Sequence, residues 1–498
     1  MTEVIIMGKR SSGILMHISS LPGDYGIGDF GKEAYRFVDF LVKSKQRNWQ
    51  ILPLGVTGYG DSPYQCFSAF AGNPYFIDLN EMLINHFIDQ EDLKKYYISD
   101  DDTKVNYSLL YKNKMKLLRI AYTNSKTQLF DELRYYYITN IDWLREFVLF
   151  MSIKAKHNNV SWYEWAPQYK VYNSEAVSSF EEENQDEIYF WVFTQYYFTR
   201  QWNRLKEYAN AKGIKIIGDL PIYVSEDSSD LWSNPEYFQL DENLVPKTVA
   251  GVPPDGFTDT GQLWGNPIYE WEAMENDGYK WWLRRIEHSF KLYDTLRMDH
   301  FRGFESYWEV EYGSENAIRG KWVKGPGMKL FNKIKEELGE LDIIVEDLGY
   351  STPEVTKLVK DSGFPNMKVL QFAFNPYDES QHAPHSFDKN CVVYTSTHDN
   401  QTIIGWFDTL PKDIFQYSVK YLKLNYDEGL NWGVIRGAWA STANLAIATM
   451  QDFLGLDDKA RMNVPGSLGD NWTWRLRKGQ LTDDLAYRIR ELTKMFWR

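Results

Sequence analysis

The chain is 498 residues long, more than one ordinary domain needs but suited to a (β/α)₈ barrel with insertions around a single core. Hydrophobic residues make up 43% of the sequence and charged residues 25%, a balance that argues against a disordered or membrane-spanning chain. The formal net charge is −14 and Lys and Arg do not cluster, so the sequence predicts no nucleic-acid partner.

The sequence also predicts a cytoplasmic protein with no membrane partner. Cys66 and Cys391 are the only cysteines and form no CxxC pattern, which indicates neither a disulfide framework nor a zinc site. The apolar run near the N-terminus is too short for a signal peptide, and no stretch of about eighteen apolar residues occurs.

Eight short β-type runs are distributed along the chain, several of them nearly continuous in apolar residues, as parallel strands covered on both faces are. In order, they cover residues 13–20, 48–54, 214–221, 293–300, 341–348, 367–374, 391–399 and 445–452. Helical stretches lie between several of them, at residues 30–44, 280–290, 327–338 and 353–362. This alternation predicts an α/β fold with a parallel sheet.

A doubly wound sheet and a (β/α)₈ TIM barrel both satisfy the alternation, and the count of eight favours the barrel, with residues 1–498 forming one catalytic unit. Two connections are far longer than an ordinary βα loop. They predict inserted subdomains after the second and third strands, a mostly helical one at 60–210 and another at 222–290. Four tryptophans of the first insertion form either a helical packing core or a secondary ligand-binding site: Trp143, Trp162, Trp165 and Trp191.

Carboxylates stand where several of the predicted strands end. The strand ends read Asp219, Asp299, Glu346-Asp347 and His398-Asp399. Active sites of such barrels lie at the carboxyl ends of the strands, and burying a carboxylate there is costly unless it is paired. One such residue is easily a structural ion pair or a helix N-cap, but four on one rim indicate a catalytic site.

Arg297 and Asp299 lie two residues apart on a predicted strand, so both should face the barrel mouth. A neighbouring cation lowers a carboxylate pKa, so Arg297 is expected to keep Asp299 ionised, as a nucleophile must be. A purely structural ion pair explains this motif equally well.

Glu346 follows a fully apolar strand, where desolvation should raise its pKa and suit it to donate a proton. An ionised carboxylate beside a protonated one is what retaining glycoside cleavage requires, at a separation of about 5 Å. Asp399 could bind neighbouring sugar hydroxyls, with His300 and His398 donating to the same ring. The alternative is a metal site, which the absence of an HxH or HExxH pair and the adjacent Arg297 argue against.

At this point the residues resemble a known family. Four strings at the predicted strand ends carry the resemblance: Gly218-Asp-Leu-Pro-Ile-Tyr-Val224, Arg297-Met-Asp299-His300, Glu346-Asp-Leu348 and His398-Asp399-Asn400. Further strings lie elsewhere: Ser12-Gly-Ile-Leu15, His17-Ile-Ser-Ser-Leu-Pro22, Gly58-Tyr59-Gly-Asp-Ser-Pro-Tyr-Gln65, Gly251-Val-Pro-Pro-Asp255, Gly261-Gln-Leu-Trp264-Gly-Asn-Pro267, Asn463-Val-Pro-Gly466 and Asn471-Trp-Thr-Trp-Arg475. They resemble the 4-α-glucanotransferases of glycoside hydrolase family 77, in the α-amylase superfamily, over nearly the whole chain.

The resemblance implies a nucleophile at Asp299, a general acid/base at Glu346 and a transition-state stabiliser at Asp399. It further implies no metal, no cofactor, no C-terminal β domain, and a loop over the active site at 250–267. The substrate-binding residues that it implies are Arg297, His398, Asp219, His300, Asn400, Tyr59, Trp264 and Asp255.

The activity implied is disproportionation, in which α-1,4-glucan segments pass from a maltooligosaccharide to the 4-hydroxyl of an acceptor glucan or glucose. Partners would be maltooligosaccharides, starch- or glycogen-type α-glucans, and glucose as acceptor. Three carboxylates alone do not distinguish a sugar acceptor from water, so an α-1,4-glucan hydrolase stays open. A non-catalytic glucan-binding protein is the third reading.

Overall fold

The computed structural model describes residues 10–58, 60–99, 101–254 and 258–498. These residues contain twelve strands, β1 to β12, which are in chain order Ser11–Leu15, Asn48–Gln50, Lys215–Leu220, Thr248–Val252, Gln262–Pro267, Thr295–Met298, Ser306–Glu311, Gly320–Lys324, Ile343–Val345, Asn366–Val369, Cys391–Tyr394 and Leu445–Thr449.

The α-helices in the same residues are Lys32–Lys43, Leu79–Ile84, Gln90–Lys95, Tyr107–Leu109, Met115–Ser125, Phe130–Thr139, Ile141–Lys156, Glu175–Glu183, Gln185–Ala211, Ser229–Ser233, Trp271–Asn276, Lys280–Leu292, Met328–Leu338, Pro353–Ser362, Ile403–Thr409, Lys412–Leu422, Leu430–Ala440, Met450–Leu454 and Asp483–Met495. All four helical stretches predicted from the sequence are present. None of the helices in the described part of the chain is both long enough and apolar enough to cross a membrane.

Eight strands form a closed parallel barrel in the order β1, β12, β11, β10, β9, β6, β3 and β2. Ser11 of β1 pairs with Leu445 of β12, which joins the first strand to the last. Each of the eight predicted runs overlaps one barrel strand. A doubly wound sheet would keep two free edges, so the closed ring confirms the (β/α)₈ fold.

The barrel interior is filled by apolar side chains that alternate strands contribute in layers. This inner cluster consists of Leu15, Ile217, Ile344, Met367, Val369, Val392, Tyr394, Leu445 and Ile447. Residues two apart on a strand face the same side, so Asp219 points into the interior as Ile217 does. Outside β3, the ring of Tyr293 packs against Gly218, where an added Cβ would lie 2.2 Å from that ring.

Between β2 and β3 the chain forms the helices from Leu79–Ile84 to Gln185–Ala211. Trp143, Trp162, Trp165 and Trp191 all lie in this segment and are 0–7% exposed. Buried rings offer no face to a glucan, so these four side chains belong to the packing core.

A second sheet, antiparallel and in the order β5, β4, β7, β8, lies beside the barrel and was not predicted. The 250–267 segment was expected to be a loop, but it includes the end of β4 and all of β5, which places Trp264 on a strand. The Gly and Pro residues of this segment are typical of turns. β4 pairs with β7, which lies far along the chain, as in the pair of Val249 with Val310. No local sequence pattern therefore shows this pairing. After β12, the described residues form helices and turns but no further strand.

Candidate active site

A cavity of about 780 Å³ opens at the carboxyl ends of the barrel strands. Its wall includes Arg297, Asp299, Glu346 and Asp399, which come from three separate segments of the sequence. The volume lies within the range of about 300–1,000 Å³ found for small-molecule sites. The barrel therefore brings the predicted carboxylates to one solvent-accessible site.

Arg297 is the centre of a buried ion network beneath Asp299. Its Nη1 donates to both carboxylate oxygens of Asp219 at 2.7 Å, and its Nη2 lies 3.0 Å from Oδ1 of Asp299. The side chains of Asp219 and Arg297 are 0% and 4% exposed, whereas that of Asp299 is 26% exposed. Asp219 was predicted to bind substrate, but its burial leaves no surface for a sugar, so it holds Arg297 instead.

Asp299 does not have the low pKa that the sequence predicted. Burial raises its pKa to about 6, and the charge of Arg297 opposes this shift without reversing it. The prediction counted the neighbouring cation and omitted the cost of desolvation, which is the larger influence here. Asp299 is nevertheless ionised at neutral pH.

Glu346 is held by two backbone amides. Oε2 accepts from the amide of His300 at 2.9 Å, and Oε1 accepts from the amide of Leu348 at 2.6 Å. Burial and the negative charge of Asp299 together raise the pKa of Glu346 to about 8, although Arg297 and the two amide hydrogen bonds oppose the shift. The two carboxylates form a coupled pair in which Glu346 keeps its proton to higher pH than Asp299.

Asp399 has the opposite electrostatic environment, although it also lines the cavity. Nδ2 of Asn463 donates to its Oδ1 at 2.7 Å, and Nε2 of His398 lies 3.3 Å from its Oδ2. Burial alone would raise the pKa of Asp399, but His398 and Asn463 outweigh it and lower the pKa to about 2. Its side chain is 45% exposed, so a charged carboxylate faces the cavity.

The pKa values of the two histidines are shifted in opposite directions. Burial would lower the pKa of His398, but the adjacent Asp399 carboxylate raises it above the ordinary value. Burial lowers the pKa of His300 to about 3, so this imidazole is neutral. In the described part of the chain, Nε2 of His300 has no hydrogen-bond partner, and its backbone takes the left-handed φ of 47°.

Two further predicted residues line the cavity, and two cannot be placed. The ring of Trp264 stands edge-on to His300 with centroids 4.7 Å apart. Oδ1 of Asn400 accepts from the amide and the hydroxyl of Thr397, so that oxygen is occupied in shaping the loop. Tyr59 and Asp255 lie outside the described residues.

Three residues at the site escaped the sequence-based prediction. The hydroxyl of Tyr64 donates to Oδ2 of Asp219 at 2.8 Å, and its ring stacks on His398 at a centroid distance of 5.1 Å. Arg461 donates to the backbone carbonyl of Asp399 at 2.6 Å, and Asn463 contacts the carboxylate of Asp399. Tyr64 and Asn463 stand in strings noted for their resemblance, and that was the only available signal.

Known proteins match this chain over almost its full length. Residues 16–482 match the family described as 4-alpha-glucanotransferase. A 4-alpha-glucanotransferase from Clostridium butyricum is 51% identical over 485 residues, which cover 97% of this chain and 100% of that relative. The chain belongs to the 4-alpha-glucanotransferase family. The family resemblance found in the sequence is thereby confirmed, and with it an enzyme of the glucanotransferase class.

Two further relatives, one of them a solved structure, are similar to this chain over nearly its full length. The Thermus thermophilus enzyme is 43% identical over 496 residues, covering 97% of this chain and 98% of the relative. An amylomaltase from Streptococcus agalactiae, solved in complex with acarbose, is 42% identical with a TM-score of 0.96, covering 98% of this chain and 100% of that one. The same barrel with its insertions is therefore present in a solved relative.

Proposed function

We propose that this family member transfers α-1,4-linked glucan segments from a maltooligosaccharide to the 4-hydroxyl of an acceptor glucan or glucose, with Asp299 as nucleophile and Glu346 as acid/base. One arrangement carries the residue assignment: in one cavity, Asp299 lies beside the Arg297 guanidinium and Glu346 is held by two backbone amides. Burial raises the pKa of Asp299 to about 6, and burial with the charge of Asp299 raises that of Glu346 to about 8. Near neutral pH, one is ionised and the other holds a proton, which are the states that the first chemical step needs.

In the first step, a carboxylate oxygen of Asp299 attacks the anomeric carbon of the donor. The glycosidic C–O bond breaks, and Glu346 passes its proton to the departing 4-oxygen. The products are a covalent glycosyl-enzyme, an ionised Glu346 and a shortened chain that leaves.

In the second step, the 4-hydroxyl of an acceptor attacks the anomeric carbon from the face that the leaving chain vacated. Glu346 takes the hydroxyl proton, the bond to Asp299 breaks, and an α-1,4 linkage re-forms. Two inversions retain the configuration, and both catalytic groups return to their starting states.

Asp399 acts as the third carboxylate in this proposal. Its low pKa keeps it charged throughout the cycle, and its exposed oxygens face the cavity where sugar hydroxyls would lie. Hydrogen bonds from sugar hydroxyls to a charged acceptor are short and strong. They stabilise the transition state if they become stronger as the sugar ring flattens. His300 lines the same cavity, and His398 holds the Asp399 carboxylate from a buried position.

Transfer rather than hydrolysis is favoured by family membership, because the carboxylate chemistry is the same for a sugar and for water. The relatives bear the name 4-alpha-glucanotransferase, and the amylomaltase structure holds acarbose. Starch- or glycogen-type glucans are the corresponding long substrates. A cytoplasmic location fits the two cysteines, both of which are free thiols.

Incubation of the enzyme with maltotriose tests the proposed activity. Chromatography should show glucose and a ladder of longer maltooligosaccharides, with the number of reducing ends unchanged because each transfer breaks one bond and makes one. A rise in reducing ends without a ladder would identify a hydrolase. Added glucose should shorten the ladder by acting as an acceptor.

A further inference from the structure

The segment that carries His398 and Asp399 is a loop without regular secondary structure. It runs from residue 395, after β11, to Thr402, which caps the helix Ile403–Thr409. A loop gains little rigidity from its own backbone, so a catalytic carboxylate on it needs support from neighbouring elements.

Asp452 supplies that support at both ends of the loop. Its Oδ2 accepts from the hydroxyls of Thr395 and Ser396, each at 2.6 Å, and its Oδ1 accepts from the amide of Ile403 at 2.8 Å. The three donors lie on either side of Asp399 in the sequence. One side chain therefore fastens the beginning of the loop to its end.

Asp452 is suited to this task because it is itself buried and held. It is 1% exposed, its amide donates to the hydroxyl of Thr449 at 3.2 Å, and its carbonyl accepts from Asn431 at 2.8 Å. Burial raises the pKa of Asp452, and the hydrogen bonds from Ser396, Thr395 and Ile403 oppose that shift. A carboxylate offers acceptor sites on both oxygens, which a hydroxyl or a single amide oxygen cannot match.

Asp458, six residues further along, binds the last two residues of the same loop. Its carboxylate accepts from Nε2 of Gln401 at 2.6 Å and from the amide of Thr402 at 3.0 Å. It approaches so closely that a Cβ added to Gly405 would lie 2.1 Å from its Oδ1. The chain after β12 thus supports the loop through two carboxylates, neither of which belongs to the catalytic group.

We infer that Asp452 is a positioning residue of the transfer reaction: it fixes the 395–403 loop so that Asp399 meets the sugar in the transition state. The inference rests on the proposed role of Asp399. Asp452 acts only through the loop, since Thr395, Ser396 and Ile403 take up its carboxylate oxygens.

Replacing Asp452 tests this role, because a positioning residue should affect kcat much more than KM. Asp452→Ala should lower kcat on the order of 100-fold, because a displacement of about 1 Å in a catalytic group costs that much. KM for maltotriose should change less than about threefold, since the contact at stake strengthens in the transition state. Asp452→Asn keeps one acceptor oxygen and the side-chain shape, so it should recover kcat to within about tenfold of the unsubstituted enzyme.

The matched control is Phe453→Leu, one residue along. Phe453 is buried and packs on Trp432 and Trp439, with ring centroids 5.7 and 5.8 Å away. The Phe453→Leu substitution should lower Tm while keeping kcat within about twofold of the unsubstituted enzyme, as expected for a packing change remote from the reacting atoms. Equal losses of kcat in Phe453→Leu and Asp452→Ala at equal Tm would overturn the inference, as would an unchanged kcat in Asp452→Ala.

A second variant keeps the test decisive if Asp452→Ala does not fold. Replacing Thr395 by Val and Ser396 by Ala together removes both donors to Oδ2 and should lower kcat about tenfold or more, whereas an unchanged kcat contradicts the inference. The outcomes stay separable from those of the proposed function. Absence of a ladder with the unsubstituted enzyme contradicts the function, whereas a normal ladder with an unaffected Asp452→Ala contradicts only the positioning role.

Discussion

The backbone amide of His300 donates to the side chain of Glu346 at 2.9 Å. Two backbone bonds reinforce this contact: the amide of Glu346 donates to the carbonyl of Met298 at 3.0 Å, and the amide of Phe301 donates to the carbonyl of Glu346 at 2.8 Å. The pairing of β6 with β9 thus continues past both strands. As a result, the backbone on either side of Asp299 is tied directly to the acid/base residue.

The roles of Asp299 and Glu346 can be told apart by azide with maltosyl α-fluoride, whose leaving group needs no proton. In Asp299→Gly, azide should enter the vacated nucleophile position and give the β-azide after one inversion. In Glu346→Ala, the glycosyl-enzyme should still form, and azide should then attack it and give the α-azide after two inversions. NMR of the anomeric proton distinguishes the products, and the same anomer from both variants would refute the assignment. With maltotriose, Asp299→Asn should lose several orders of magnitude of activity.

The pH dependence of kcat/KM should be bell-shaped. Transfer requires Asp299 ionised and Glu346 protonated, and burial raises their pKa values to about 6 and about 8. Activity should therefore fall as pH drops below about 6, where Asp299 takes up a proton, and fall as pH rises above about 8, where Glu346 loses one. The two limbs belong to the coupled pair. An activity plateau that continues through pH 9 would contradict the assignment of the alkaline limb to Glu346.

Arg297→Gln should move both limbs of that profile to higher pH. The charge of Arg297 lowers the pKa of Asp299 and of Glu346, so its removal lets both rise. Arg297→Lys is the matched control, because it keeps a charge while losing the two bonds to Asp219. The lysine variant should hold the limbs near their original positions even if its activity is lower. If the pH profiles of Arg297→Gln and Arg297→Lys have limbs at the same pH values, the charge of residue 297 does not set the two pKa values.

Asp219→Ala should destabilise the fold by about 3–5 kcal/mol, because it removes one partner of a buried ion pair and leaves Arg297 undercompensated. The measurement is urea unfolding followed by tryptophan fluorescence. Lys215→Ala on the same strand is the control, since the Lys215–Asp342 pair at 3.1 Å has side chains that are 60% and 30% exposed. That change should cost less than about 1 kcal/mol. Equal effects of the two substitutions would contradict the ion network described for Arg297.

Trp264→Ala should reduce kcat/KM for maltotriose by about tenfold or less, because a contact with an aromatic face contributes about 0.5–1.5 kcal/mol beyond its area. Trp264→Phe keeps a flat ring and should retain most of the activity. Trp322→Phe, on β8 and also lining the cavity, provides a comparison ring. Full activity in Trp264→Ala would show that this ring does not contact the glucan.

The barrel strands could be predicted because strands buried on both faces leave a continuous apolar signature, as in the run that ends at Val345. The strand-end carboxylates followed from the same signature. The pKa of Asp299 could not be predicted, since desolvation depends on which distant segments pack around the carboxylate. Asp219 was misassigned because sequence shows that it ends a strand but not that Arg297 covers it.

The second sheet and the outer contacts of Asp399 were missed for a different reason. β4 pairs with β7 about sixty residues away, as in Val249 with Val310, and such pairing leaves no local pattern. Asn463 and Arg461 reach Asp399 from beyond β12, and amide or guanidinium side chains in a loop have no periodicity to mark them.

Closure of the barrel has a consequence for biosynthesis. β1 pairs with β12, and Asp399 accepts a hydrogen bond from Asn463. The barrel and the site are therefore complete only when the segment from β12 to Asn463 is present. A ribosome-bound chain that has emerged as far as residue 400 already contains Asp299, Glu346 and Asp399. With its ring still open, it should be inert toward glucans until β12 and Asn463 have been synthesised.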